Sequence, residues 1–178
     1  MSYAVRQRLA AGVAAGVAVI ALLGSVVVAA PALADPFTAV LDLGKAVDKT
    51  SVAPGQTFTY TLTPSCSSGD CLDATVIDTV PPEFDALTLN PTVVITGSPA
   101  TYSWGGTNNR TLTVHFTTPA AGGGVELPSG DGPSIQFSLT VPGGLSPDWP
   151  SNGVPVTNTA DITASDAAPK SATATTTI

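Results

Sequence analysis

Along most of this chain apolar residues recur at every second position, the period of an extended strand, and helical periodicity is confined to the first 34 residues. The run at residues 154–164, V-P-V-T-N-T-A-D-I-T-A, shows the consequence most plainly. Val154, Val156, Asn158, Ala160, Ile162 and Ala164 fall on one face, and Pro155, Thr157, Thr159, Asp161 and Thr163 on the other. Asn158 is the one polar residue on the apolar face. A buried amide left without hydrogen bonds costs about 1–3 kcal/mol, so Asn158 needs partners inside the core.

Two further runs carry a single polar residue in the same way. In residues 39–47, Ala39, Leu41, Leu43 and Val47 share a face with Lys45. In residues 74–80, Ala74, Val76 and Val80 share a face with Asp78. A lysine, an aspartate and an asparagine, far apart in the chain, are therefore all expected to point into one core.

The start of the chain has the make-up of a secretory leader. Arg6 and Arg8 supply a positive region, residues 9–30 are an Ala/Val/Gly/Leu run, and Ala32-Leu33-Ala34 gives a small-x-small cleavage pattern with Asp35 as the first mature residue. Residues 1–34 are read as a cleavable signal peptide of the general secretory route, since Arg6-Gln7-Arg8 is not a twin-arginine pair. The apolar run is also long enough to cross a bilayer, so an uncleaved anchor is the alternative.

Cleavage removes two arginines and leaves four basic residues against all thirteen acidic ones, a net charge of −9 over residues 35–178. That charge excludes nucleic acid as a partner, and with it any strong membrane interaction other than through an uncleaved leader. Other surface proteins or envelope polymers remain as partners. The mature length suits one domain.

Cys66 and Cys71 enclose Ser-Ser-Gly-Asp, and in an exported protein such a pair most simply forms a local disulfide. A ring this short is worth about 2 kcal/mol by loop entropy, so it pins a loop rather than holding the fold. No metal site is expected, because the single His115 lies on the polar face of its strand.

The remaining runs read as strands separated by turns. Residues 57–63 alternate strictly with Phe58, Tyr60 and Leu62 inward. Pro81-Pro82 ends the Asp78 strand, and residues 83–91 form a loop. Residues 92–96 and 101–104 are short strands around Gly97-Ser98-Pro99, and a turn at residues 105–109 leads into a strand over residues 111–117. Residues 119–133 form a Gly/Pro-rich loop, residues 134–141 a strand, and residues 166–170 a turn before a final, weakly alternating strand over residues 172–178. Eight to nine short strands with these turn signals predict an all-β, immunoglobulin-like two-sheet β-sandwich over residues 35–178.

The order of segments from Lys45 onward resembles one repeat of a bacterial surface family, the conserved repeat domain, also called domain of unknown function eleven. The matching stretches are Lys45-Ala46-Val47-Asp48-Lys49, then Val52-Ala53-Pro54-Gly55-Gln56-Thr57-Phe58-Thr59-Tyr60-Thr61-Leu62, then Ala74-Thr75-Val76-Ile77-Asp78-Thr79-Val80-Pro81, and Asn158-Thr159-Ala160. The departure lies after Leu62, where the family carries an Asn-x-Gly type turn and this chain has Pro64 and the cysteine pair. The resemblance implies an immunoglobulin-like building block of the bacterial surface. Related adhesin domains form an intramolecular isopeptide bond between a lysine on the first strand and an asparagine on the last, promoted by a buried acid. Carried over by position, these are Lys45, Asn158 and Asp78.

Two other arrangements fit the same three residues: a buried Lys45–Asp78 ion pair capped by the Asn158 amide, or a register in which Lys45 reaches solvent along its stem. Tyr102, Trp104 and Trp149 could instead line a binding face, although aromatics at strand spacing are more often core. Asp70, Asp73, Glu83 and Asp85 lack the spacing of a calcium loop. There is no G-x-S-x-G motif and no second histidine, so neither enzyme activity nor a cofactor is expected. The expected role is an exported structural module of the cell surface or envelope, a rigid spacer or assembly domain. The alternative is a secreted adhesin or carbohydrate-binding module using Trp104 and Trp149.

Overall fold

The computed structural model describes residues 39–84, 91–141, 143 and 153–178. The leader, its cleavage point at Ala34 and Asp35, and Trp149 lie outside the described residues.

Nine strands of four or more residues build two antiparallel sheets. The first contains β1 (Val40–Val47), β2 (Thr57–Ser67), β10 (Ser134–Thr140) and β5 (Val93–Thr96), in the order β1-β2-β10-β5. The second contains β12 (Ala167–Thr177), β11 (Pro155–Ala164), β4 (Thr75–Thr79), β7 (Thr111–Phe116) and β6 (Ala100–Gly105), in the order β12-β11-β4-β7-β6. Their inner faces stack into one core, with Phe58, Tyr60, Leu62 and Phe137 on one side and Val76, Leu112, Val114 and Ile162 on the other. This is the expected immunoglobulin-like sandwich.

Three shorter strands join the nine. β3 (Cys71–Leu72), β8 (Thr118–Pro119) and β9 (Val125–Leu127) form a small third sheet in the order β3-β9-β8. The loop expected over residues 119–133 is thus partly ordered, because β9 pairs with the segment after the cysteines through Cys71↔Leu127 and Leu72↔Glu126. The disulfide between Cys66 and Cys71 is formed, with the Cα atoms 5.9 Å apart and both residues buried.

Several local expectations are revised. Strand β2 does not stop at Thr63 but runs through Pro64 to Ser67. Proline is tolerated there because β10 pairs with β2 only as far as Leu62, so beyond it β1 is the one strand paired with β2, with Pro64 opposite Leu43. The stretch after Pro81 opens with a 3-10 turn, Pro82–Phe84, which buries Phe84 completely against Phe58 at 5.8 Å between ring centroids. Val154 is 37% exposed rather than inward, since it precedes the strand. The final turn is shorter than residues 166–170. Ser165 and Asp166 alone connect β11 to β12, which is therefore longer than expected.

Strands β5 and β6 are neighbours in sequence but belong to different sheets. The chain crosses from one to the other at Gly97-Ser98-Pro99. Gly97 has φ of 97°, and a Cβ there would approach the Pro133 Cα to 2.8 Å, so the crossing requires glycine.

Candidate functional site

Lys45 lies on β1 of the first sheet and Asp78 on β4 of the second. Lys45 Nζ sits 2.5 Å from Asp78 Oδ2, and both side chains are completely enclosed. The only exposed part of Lys45 is backbone. The parity reading of both strands therefore holds in three dimensions, and the two polar side chains meet across the interior.

Asn158 lies on β11, which pairs directly with β4. The register sets Asp78 opposite Ala160, so Asn158 is displaced by one inward-facing position and is the diagonal neighbour of Asp78 on the buried face. Asn158 is 0% exposed. The three residues picked out by alternation converge on one region of the core.

The chain differs from the family pattern in one respect. The bond-forming asparagine implied by the resemblance belongs to the last strand, whereas Asn158 is on the penultimate one, with all of β12 following it. The weak alternation of residues 172–178 concealed how completely β12 joins the sheet.

The fourth member of the cluster is Tyr60, read from the sequence only as a core aromatic. Its ring lies below the lysine, with Nζ 5.1 Å from the centroid, close enough for a cation–π contact. Phe58 at 5.4 Å and Phe137 at 5.5 Å between ring centroids hold the ring in place. Tyr60 pairs with Val47, two residues from Lys45 on the same face, and that diagonal was available only once the register of β1 and β2 was known.

The polar atoms of the cluster are incompletely satisfied. Asp78 Oδ1, both side-chain polar atoms of Asn158 and the Tyr60 hydroxyl are buried without a hydrogen-bond partner. The Asn158 amide lies close enough to act on the Asp78 carboxyl, but no hydrogen bond of ordinary geometry joins it to the Lys45–Asp78 pair. Buried groups of this kind are rare in native proteins because each forfeits its hydration for nothing in return.

Burial also acts on the protonation states. It pushes the Lys45 amine below its ordinary value against the attraction of Asp78. It pushes the Asp78 carboxyl above its ordinary value against Lys45 and the neighbouring Asn158 amide. It likewise pushes the Tyr60 phenol up, with Asp78 adding to the shift, so Tyr60 stays neutral. Desolvation thus brings the neutral amine and the protonated acid closer in energy to the ion pair.

The other candidates fall elsewhere. Trp104 on β6 is part-buried: its ring meets Phe137 edge-on at 5.4 Å, and its Nε1–H donates to the Pro91 carbonyl at 3.0 Å. Tyr102 is the exposed aromatic of that strand, at 43%. His115 Nδ1 lies 3.1 Å from the Thr75 hydroxyl on the outer face. Asp70 and Asp166 accept from the backbone N–H groups of Ser129 and Leu72, which ties the third sheet to its surroundings.

The fold and site together define an all-β immunoglobulin-like sandwich with a buried Lys-Asp-Asn cluster joining its two sheets. No protein-family model and no curated protein matches the chain. Solved structures with similarity to it include the C-terminal domain of the Streptococcus pyogenes antigen I/II-family protein AspA, at 11% identity over 76% of this chain and a TM-score of 0.49. This chain covers 46% of that one, less than half of its length. BslA, a bacterial hydrophobin, is similar at 15% identity over 78% of this chain and 93% of its own, with a TM-score of 0.43. A type I cohesin in a cohesin–dockerin complex from Clostridium thermocellum is similar at 11% identity over 76% and 93%, with a TM-score of 0.43.

Proposed function

We propose that this protein is an exported structural module of the bacterial cell surface or envelope, a non-enzymatic spacer or assembly domain stapled by an isopeptide bond between Lys45 and Asn158. The observation that carries this reading is the unsatisfied Asn158 amide beside the enclosed Lys45–Asp78 pair. A non-covalent trio would use that amide to cap the pair. Here it makes no hydrogen bond of ordinary geometry to the pair, and two buried polar atoms cost about 1–3 kcal/mol each unless chemistry removes one of them.

Condensation does remove one. The neutral Lys45 amine attacks the Asn158 side-chain carbonyl carbon, a C–N bond forms, and the Asn158 nitrogen departs as ammonia with a proton from the amine. Protonated Asp78 donates to the carbonyl oxygen as negative charge develops there, receives the amine proton and returns it to the leaving nitrogen. Atoms and charge balance without any cofactor. The reaction occurs once per chain, and its groups are held by a folded core, so orientation supplies much of what a catalyst otherwise would.

The bond closes a ring from residue 45 to residue 158. By the loop-entropy relation used for disulfides, a ring of that size contributes about 5 kcal/mol. It ties the first sheet to the second at a point where the two share no backbone pairing. Support for the binding-module alternative is weaker, because the Trp104 indole is turned against the core.

Intact mass of the exported protein, before and after reduction, tests the reading. The cross-linked form is lighter than the disulfide-corrected sequence by one ammonia, and Lys45→Ala and Asn158→Ala each restore the full mass expected for their sequences. A wild-type protein of full mass would overturn the cross-link.

A further inference from the structure

Because Asn158 lies on the penultimate strand, residues 159–178 fall outside the ring that a Lys45–Asn158 bond would close. We infer that the outer strand of this segment, β12, is a force-releasable tether: a latched edge strand that peels from β11 when the module is pulled from its ends. The inference rests on the cross-link reading and goes beyond it, since a bond to the last strand would leave no arm to release.

The geometry of loading follows from the register. Asn158 pairs across β11 and β12 with Ala174, and Pro155 with Thr177. A pull on Ile178 against an anchor at Asn158 therefore acts on two strands side by side at the same end of a hairpin. It separates them one pair at a time, from Thr177 back toward the Ser165-Asp166 turn, rather than shearing every bond at once.

The first few residues to part are the strongest held. Thr177 exchanges backbone hydrogen bonds with the chain following β1, through Thr177 N–H to the Thr50 carbonyl and Val52 N–H to the Thr177 carbonyl, both at 2.9 Å. Thr176 is fully buried, and its hydroxyl donates to the Lys49 carbonyl at 2.8 Å. Ile178 is buried as well and is bonded in both directions to Val154. This is a latch, joining the end of the arm to the body.

Behind the latch β12 is an edge strand held by β11 alone in its sheet, whereas residues 159–163 of β11 stay paired with β4 and keep Ala160 and Ile162 in the core. The inward residues of β12 before Thr176 are Ala174, Ala172 and Ala167. Alanine buries only a methyl group, so each pair contributes far less apolar area than the Val, Ile, Leu and Phe positions of the other strands. Once Thr176 and Ile178 leave, the remaining pairs follow at lower force. Extended, residues 166–178 span about 45 Å.

Single-molecule stretching of the full chain, held by its two ends, tests this with a ruler built into the sequence. The expected trace shows a reversible release step of about 45 Å while the body stays intact. Inserting about ten Gly/Ser residues between Ser165 and Asp166 lengthens that step by roughly 35 Å, and the same insertion between Gly122 and Gly123 leaves it unchanged. Thr176→Val keeps the step length and lowers the release force. Absence of a step, or a step that ignores the Ser165 insertion, overturns the tether while leaving the cross-link standing. A step lengthened by the Gly122 insertion means that the ring between Lys45 and Asn158 is open, and the cross-link reading fails with it.

Discussion

Lys45 Nζ and Asp78 Oδ2 approach to 2.5 Å from opposite sheets, 33 residues apart in sequence, with both side chains closed to solvent. A charge buried in this way depends on its partner far more than the fold depends on the pair.

That dependence can be measured where no bond can form. In an Asn158→Ala background, Asp78→Ala leaves Lys45 without its counter-charge and lowers stability by about 3–5 kcal/mol relative to Asn158→Ala alone, read by urea denaturation. In the otherwise native sequence Asp78→Asn keeps the shape of the site but cannot donate and return a proton as the acid does. It is expected to retain full mass in the spectrum, whereas a mass lower by one ammonia would remove Asp78 from the chemistry.

The protonation states set the pH dependence of bond formation. The productive state has a neutral Lys45 and a protonated Asp78, which together hold one titratable proton, as the ion pair also does. Interconversion of these two forms is therefore independent of pH. With the Lys45 value displaced downward from 10.5 and the Asp78 value upward from 3.8, the rate is level between the two titrations. It falls on the acid side as a second proton makes Lys45 an ammonium beside a protonated acid, and on the alkaline side as the last proton is lost. Timing ammonia release after dilution from denaturant across a pH series should give this bell, and a rate rising steadily with pH would argue against an acid role for Asp78.

Tyr60 separates the ring from the hydroxyl. Its ring face lies under Lys45, but its buried hydroxyl has no partner. Tyr60→Phe keeps the face and removes the orphan, so the variant should cross-link fully and be as stable as the parent or up to about 1 kcal/mol more stable in thermal unfolding. A lost cross-link would show that the hydroxyl takes part in the reaction.

Gly97 controls the crossing between sheets. At φ of 97° and with the Pro133 Cα in the way of a Cβ, Gly97→Ala strains the backbone and should cost about 1–3 kcal/mol. Denaturant titration reads the loss directly, and a neutral result would mean that the β5–β6 connection can relax without disturbing β10.

Alternation alone made most of the fold and the three central residues of the site legible. A two-residue period assigns each side chain to a face wherever one face is buried, so Lys45, Asp78 and Asn158 each stood out against apolar neighbours before any contact was known. Phe84 was hidden because a 3-10 turn has no strand period. The third sheet was hidden because pairs as short as Cys71↔Leu127 leave no repeat in the sequence.

The sequence by itself determined which side chains of each strand face inward, where the prolines and glycines turn the chain, and that a sandwich with a local disulfide pair would result. Tertiary structure decided the rest. It put β5 and β6 in different sheets, brought the face of Tyr60 beneath Lys45 and left the Asn158 amide without a hydrogen bond of ordinary geometry. The physical reason is that face parity is a property of one strand, fixed by its own backbone. Which strands lie side by side, and which polar groups find partners, depends on pairings between segments distant in sequence.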